Sequence, residues 1–145
     1  MGCNGRASST LAFRTILYNK IMFTSIGQLT YHDGWRSVLD IDEGLAEYYR
    51  NQIPRTIAFN KPFYNSHITV VRGKYETPIN KDIWGKYEGD IIEFKYDHSL
   101  RIDETYIWIK VECKRLESIR LELGLNNCYD RFKGFHITVA NRKNI

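Results

Sequence analysis

The chain is poor in the features that would settle a function at once. Its 145 residues hold three cysteines, Cys3, Cys113 and Cys128, an odd number without metal-like spacing. That excludes a disulfide-rich scaffold and a zinc cluster, and free thiols in a reducing compartment are expected. No apolar run approaches the roughly 18 residues of a membrane helix. The opening Met1-Gly2-Cys3-Asn4-Gly5-Arg6 fails the myristoylation pattern, because Arg6 stands where Ser or Thr is required. Membrane attachment is therefore not expected, and a cytoplasmic location is. Neither charge sign dominates: 21 basic against 17 acidic residues leave +4, enough to attract a small polyanion and too little to argue for a grip on long nucleic acid. No stable nucleic-acid partner is expected.

Histidine is scarce too, at four residues, yet two of the four share one context. His67-Ile68-Thr69-Val70 recurs as His136-Ile137-Thr138-Val139, 69 residues later. Both copies are β-branched and read as strands, in which residues i and i+2 emerge on one face. Each strand thus offers an imidazole and a hydroxyl on one side and apolar Ile and Val on the other. By strict alternation Val71 continues the polar face of the first copy and Arg72 leaves it. In the second copy Ala140 and Arg142 continue it, which makes Arg142 a candidate phosphate contact. A single strand histidine is more ordinarily structural; repetition of the whole tetrapeptide favours a shared site.

Two imidazoles and two hydroxyls around one cleft suit phosphodiester cleavage. A neutral histidine takes a proton from the attacking oxygen and a protonated one supplies the leaving oxygen, both forms existing near a pKa of ~6.5. Threonine hydroxyls donate to the non-bridging oxygens. The chemistry requires neither metal nor cofactor.

With its paired His-x-Thr motifs, each preceded by a helix, the chain resembles the two-histidine (2H) phosphoesterase superfamily, which includes RNA 2',3'-cyclic phosphodiesterases and 2'-5' RNA ligase-like proteins. The stretch Gly34 to Arg50, Asn60-Lys61-Pro62 and His67 to Gly73 are similar to a phage branch that includes the anti-CBASS proteins, which degrade cyclic oligonucleotide messengers of bacterial immunity. The resemblance runs from about Phe23 to the end. It implies a metal-independent hydrolase of cyclic di- or trinucleotides in the host cytoplasm, with His67, Thr69, His136 and Thr138 at the catalytic positions. The same four residues would also serve RNA-end processing. A module that sequesters cyclic nucleotides without cutting them is a further alternative, and the residues leave the oligomeric state open.

Organisation along the chain fits one α+β domain over 10–145, after a small, polar stretch at 1–9 that reads as a disordered extension or a start-site artefact. Residues 11–31 alternate loosely, and Asp33-Gly34 signals a hairpin into a strand at 35–39. Asp42 is placed to cap a helix through Ile53, with Leu45, Tyr49 and Ile53 on one stripe and Pro54 ending it. In the second half, 91–96 and 106–112 alternate as strands. Residues 115–123 form a helix carrying Leu116, Ile119 and Leu123, with Gly124 at its C-terminal cap. The helices begin 24 and 21 residues before their histidines. Helix, loop and motif strand therefore occur twice, predicting two pseudo-symmetric antiparallel lobes with outer helices and a central cleft.

Aromatic residues make up 14% of the chain. Trp35, Tyr64 and Trp108 are candidates to stack on bases, with core packing the competing and more ordinary reading for each. His32 and His98 lie in turn-like contexts and read as surface residues, as do Glu104 and Glu112.

Overall fold

The computed structural model describes residues 21–128 and 134–143; the readings made for 1–20, Cys3 included, lie outside the described residues. The expected α+β class holds. Six antiparallel strands close into a barrel, two short strands extend it, and two helices pack outside. In chain order they are β1 (Met22–His32), β2 (Arg36–Ile41), α1 (Glu43–Arg50), β3 (Phe59–Asn60), β4 (His67–Arg72), β5 (Ile91–Asp97), β6 (Arg101–Ile102), β7 (Tyr106–Glu112), α2 (Lys114–Glu122) and β8 (His136–Arg142). A 3-10 turn spans Lys81–Ile83.

The expected duplication is visible in the order of elements: β1-β2-α1-β4 is matched by β5-β7-α2-β8. The halves do not stand apart as lobes. β1 pairs with β5 along seven positions, and β4 meets β8 at Ile68 and Ile137. Each half's open edges are thereby covered by the other half, and closure leaves few unpaired backbone groups at the rim. The barrel order is β8-β4-β2-β1-β5-β7 and back to β8.

One row of register partners crosses five strands: Leu29, Leu39, Ile68, Ile137 and Ile109. All five are fully buried, each contributing about 1.5–3 kcal/mol relative to an exposed position. The helices cover this apolar face. Asp42 caps α1, its Oδ1 accepting from the Gly44 N–H at 3.1 Å, and Tyr49 and Ile53 are buried as their spacing requires. The helix is shorter than expected, because the backbone turns after Arg50 through bonds from Gln52 N to Tyr49 O and from Ile53 N to Arg50 O. α2 ends as predicted at Gly124, whose φ of 84° is left-handed. The Leu125 N–H reaches Arg120 O and the Gly124 N–H reaches Leu121 O, the Schellman arrangement.

Each helix crosses to the other half: α1 packs on β8 and α2 on β4. The hairpin at Asp33-Gly34 forms as expected, with His32 opposite Arg36 and both Gly34 and Trp35 at positive φ. Gly73 lies against that turn so closely that a Cβ there would meet Gly34 O at 2.0 Å. Of the cysteines, Cys113 is free and buried, whereas Cys128 is disulfide-bonded. This corrects the expectation of free thiols throughout, since an odd count still allows one pair. Among the described residues no helix is long and apolar enough to cross a membrane.

Candidate active site

β4 and β8 run antiparallel with Ile68 opposite Ile137. That register sets His67 across from Thr138 and Thr69 across from His136, so the four polar residues alternate around a square; diagonal neighbours in such a pair lie about 7–8 Å apart. All four line one pocket of about 430 Å³.

The two histidines are held in the same way. His67 Nδ1 lies 2.7 Å from the Asn65 carbonyl and His136 Nδ1 lies 3.3 Å from the Gly134 carbonyl, in each case the residue two positions earlier. A carbonyl only accepts, so Nδ1 carries the hydrogen in both rings. Nε2 is left for the pocket, free to take a proton or, when protonated, to give one. The loop before His67 is fixed in turn. The Ser66 N–H and hydroxyl both donate to the Glu43 carboxylate, at 2.5 and 2.9 Å, in the first turn of α1.

The surroundings of the two rings differ. Asp40 is the register partner of His67 and Lys110 that of His136, so side chains of opposite charge share the cleft face beside the two imidazoles. Asp40 accepts a bond from the Thr30 hydroxyl at 3.0 Å. Trp108 meets the His136 ring edge-on at 5.7 Å. Burial holds His136 below the ordinary histidine range. The charges of Arg72 and His67 push the same way, while the bond to the Gly134 carbonyl and the charge of Asp103 pull back.

Strict alternation fails in both motif strands at the same point. Ser37 pairs with Val71 but Val38 with Thr69, so Val70 is skipped; Ile107 pairs with Ala140 but Trp108 with Thr138, so Val139 is skipped. Each is a β-bulge, and one extra residue reverses the side of everything beyond it. Val71 and Ala140, expected on the cleft side, are fully buried in the core. Arg72 and Asn141 line the pocket instead. Arg142 does not: its guanidinium Nη1 donates to Asp103 O at 3.2 Å, away from the pocket. The repeated unit is thus six residues long, His-Ile-Thr-Val-(Val/Ala)-(Arg/Asn). A signal was present in the sequence, since the doublets Val70-Val71 and Val139-Ala140 break the alternation.

The aromatic candidates divide. Tyr64 lines the pocket and stands 70% exposed, beside Phe63, also lining and 90% exposed, their rings 5.2 Å apart. Tyr106, the register partner of Asn141, closes the far side. Trp108 is half-buried on the cleft face under the Arg101 guanidinium. Trp35 is not at the site: it sits in the β1–β2 turn with φ of 61°, its ring against Trp84 and Lys81. A left-handed turn position points it at the 3-10 segment rather than the cleft. His32 bonds the Thr30 hydroxyl and His98 lies edge-on to Phe23; neither lines the pocket. Glu104 and Glu112 are also outside its lining. Among the described residues no group of three His, Cys, Asp or Glu side chains is placed to share a metal ion.

Compared with known proteins, the chain matches no family model, no curated sequence and no solved structure.

Proposed function

We propose that this protein is a phosphodiesterase of the two-histidine kind, working by imidazole acid–base catalysis on cyclic di- or trinucleotides. The observation that carries the reading is the pair of His-x-Thr units around one pocket, each histidine presenting the same ring nitrogen. A phosphodiester seated between them has a hydroxyl donor from Thr69 and from Thr138 for its non-bridging oxygens, and Arg72 supplies a charge of the opposite sign. His136 acts as base and His67 as acid. Burial and the charge of Arg72 disfavour the protonated form of His136, which suits it to accept a proton, and leave the donor's part to His67.

The cyclic-oligonucleotide substrate is supported by the exposed Phe63 and Tyr64 at the rim, which offer flat faces for bases. It is also supported by a modest net charge, which suits a small ligand better than a long track of phosphates. On this reading the protein belongs with the anti-CBASS enzymes and removes the messengers of a bacterial defence. The test is incubation, with and without a chelator, against cyclic dinucleotides, cyclic trinucleotides and RNAs ending in a 2',3'-cyclic phosphate, with products identified by mass. Linear or cyclic-phosphate products from the first two, unaffected by chelation, are expected. Products only from the RNAs would move the assignment to RNA-end processing, and tight binding without products would make the protein a sequestering module.

A further inference from the structure

The two bulges share a second feature that alternation along the strands does not explain. The carbonyl of each skipped residue accepts a hydrogen bond from an arginine in the last turn of a helix. Arg50 of α1 donates through Nε to Val139 O at 2.8 Å, and Arg120 of α2 donates through Nη1 to Val70 O at 2.7 Å. Both bonds cross between the halves: the first half's helix holds the second half's motif strand, and the reverse. They link residues 89 and 50 positions apart.

A bulge leaves its extra residue outside the ladder, and a polar backbone group at such a position needs another partner. A guanidinium is the strong choice, being always charged and directional. On the β4 side the arrangement is reinforced. Arg120 is 1% exposed and also pairs with Glu76, whose Oε2 accepts from the Arg72 N–H at 2.9 Å, immediately beyond the bulge.

We propose that Arg50 and Arg120 are positioning residues that clamp the bulges of β8 and β4 and thereby keep Asn141 and Arg72 turned into the cleft beside the two threonines. Neither touches the pocket. Losing the clamp frees the bulge to migrate, and a shift of one residue exchanges Asn141 for Ala140 or Arg72 for Val71 on the cleft face. The geometric part stands without any activity; its consequence for turnover rests on the phosphodiesterase reading.

Arg50 is the one to test, because Arg120 also serves the buried ion pair. In the full chain, amide hydrogen exchange is followed residue by residue for wild type, Arg50→Met and Arg50→Lys, beside hydrolysis of bis(p-nitrophenyl) phosphate. Arg50→Met is expected to raise exchange selectively at 138–142 while β1 and β5 keep their protection. It should also lower kcat by on the order of 10- to 100-fold with little change in KM, and Arg50→Lys should recover part of both. Unchanged exchange at 138–142, or an increase spread evenly over the sheet, overturns the clamp. If Arg50→Met does not fold, Arg50→Lys is read alone, and selective exchange at 138–142 is again the deciding result. A wild type inactive on every diester defeats the phosphodiesterase reading, while the exchange pattern still decides the clamp.

Discussion

Ile68 and Ile137 face one another across the seam between β4 and β8, each lying between the histidine and the threonine of its own motif. They are fully buried at the middle of the apolar row, so the polar residues on either side of each must emerge on the opposite face. The site is the reverse side of the core's central contact.

If the imidazoles do the proton transfers, His67→Ala and His136→Ala should each lower kcat by about 10² to 10⁴. Thr69→Val and Thr138→Val keep the shape and lose the donor, and should cost about 10² to 10³. Far-ultraviolet circular dichroism and the thermal midpoint, measured beside the rates, should be nearly unchanged for all four, since the side chains face the pocket.

The depressed pKa of His136 has a sign in both stability and rate. The folded state binds its proton less readily than the unfolded chain, so stability is complete above the ordinary value of 6.5. It declines as pH falls from there toward the folded value. His136→Gln should flatten that part of a midpoint-against-pH curve. In the rate profile, Arg72→Gln removes a neighbouring cation and raises the His136 pKa. With His136 as base, the acid limb of kcat/KM moves to higher pH; movement of the alkaline limb instead would exchange the two roles.

Arg72 and Arg142 make a matched comparison. Arg72→Ala should raise KM for a phosphodiester by about 10- to 100-fold, the magnitude of one charge-assisted hydrogen bond of about 1.5–3 kcal/mol. Arg142→Ala should leave KM within about twofold, because its guanidinium is engaged with Asp103. Initial-rate kinetics on both variants decide it.

Phe63→Ala and Tyr64→Ala test the stacking role apart from the chemistry. Both side chains are exposed, so unfolding midpoints should not move. Affinity for a cyclic dinucleotide, measured by calorimetry, should fall by about 1–3 kcal/mol for each base that loses its platform.

The Arg120–Glu76 pair also has a cost in stability that can be read apart from turnover. Both groups are buried, and Arg120→Met leaves the carboxylate without its partner at a cost of about 3–5 kcal/mol by urea unfolding. Adding Glu76→Met should recover the part due to the unpaired carboxylate, while the Val70 carbonyl and the Arg72 N–H stay without these partners.

Much of this was legible in the sequence where the signal is periodic and local. The Asp42 cap, the Gly124 stop, the Asp33-Gly34 hairpin and the two motif strands are set by neighbouring residues and lie where the pattern puts them. What alternation could not carry was its own interruption. A bulge is chosen by what satisfies the extra carbonyl, and here that is an arginine from the other half of the chain, so strict alternation puts Arg72 off the cleft face and Ala140 and Arg142 on it, all three the wrong way round, and passes over Asn141. Trp35 was misplaced for a similar reason, because its direction follows from a left-handed turn and from Trp84, 49 positions later. The short strands β3 and β6 have two residues each, too few for any period to show.

The exchange of helices between the halves has a consequence for how the molecule can be divided. Cut at residue 90, either fragment would keep its motif strand but would carry a helix parted from the strand it packs on and a motif strand parted from its helix. Two fragments would have to fold together, or one fragment would have to recruit a copy of itself and trade helices. The duplicated unit is thus a half that completes itself only in company.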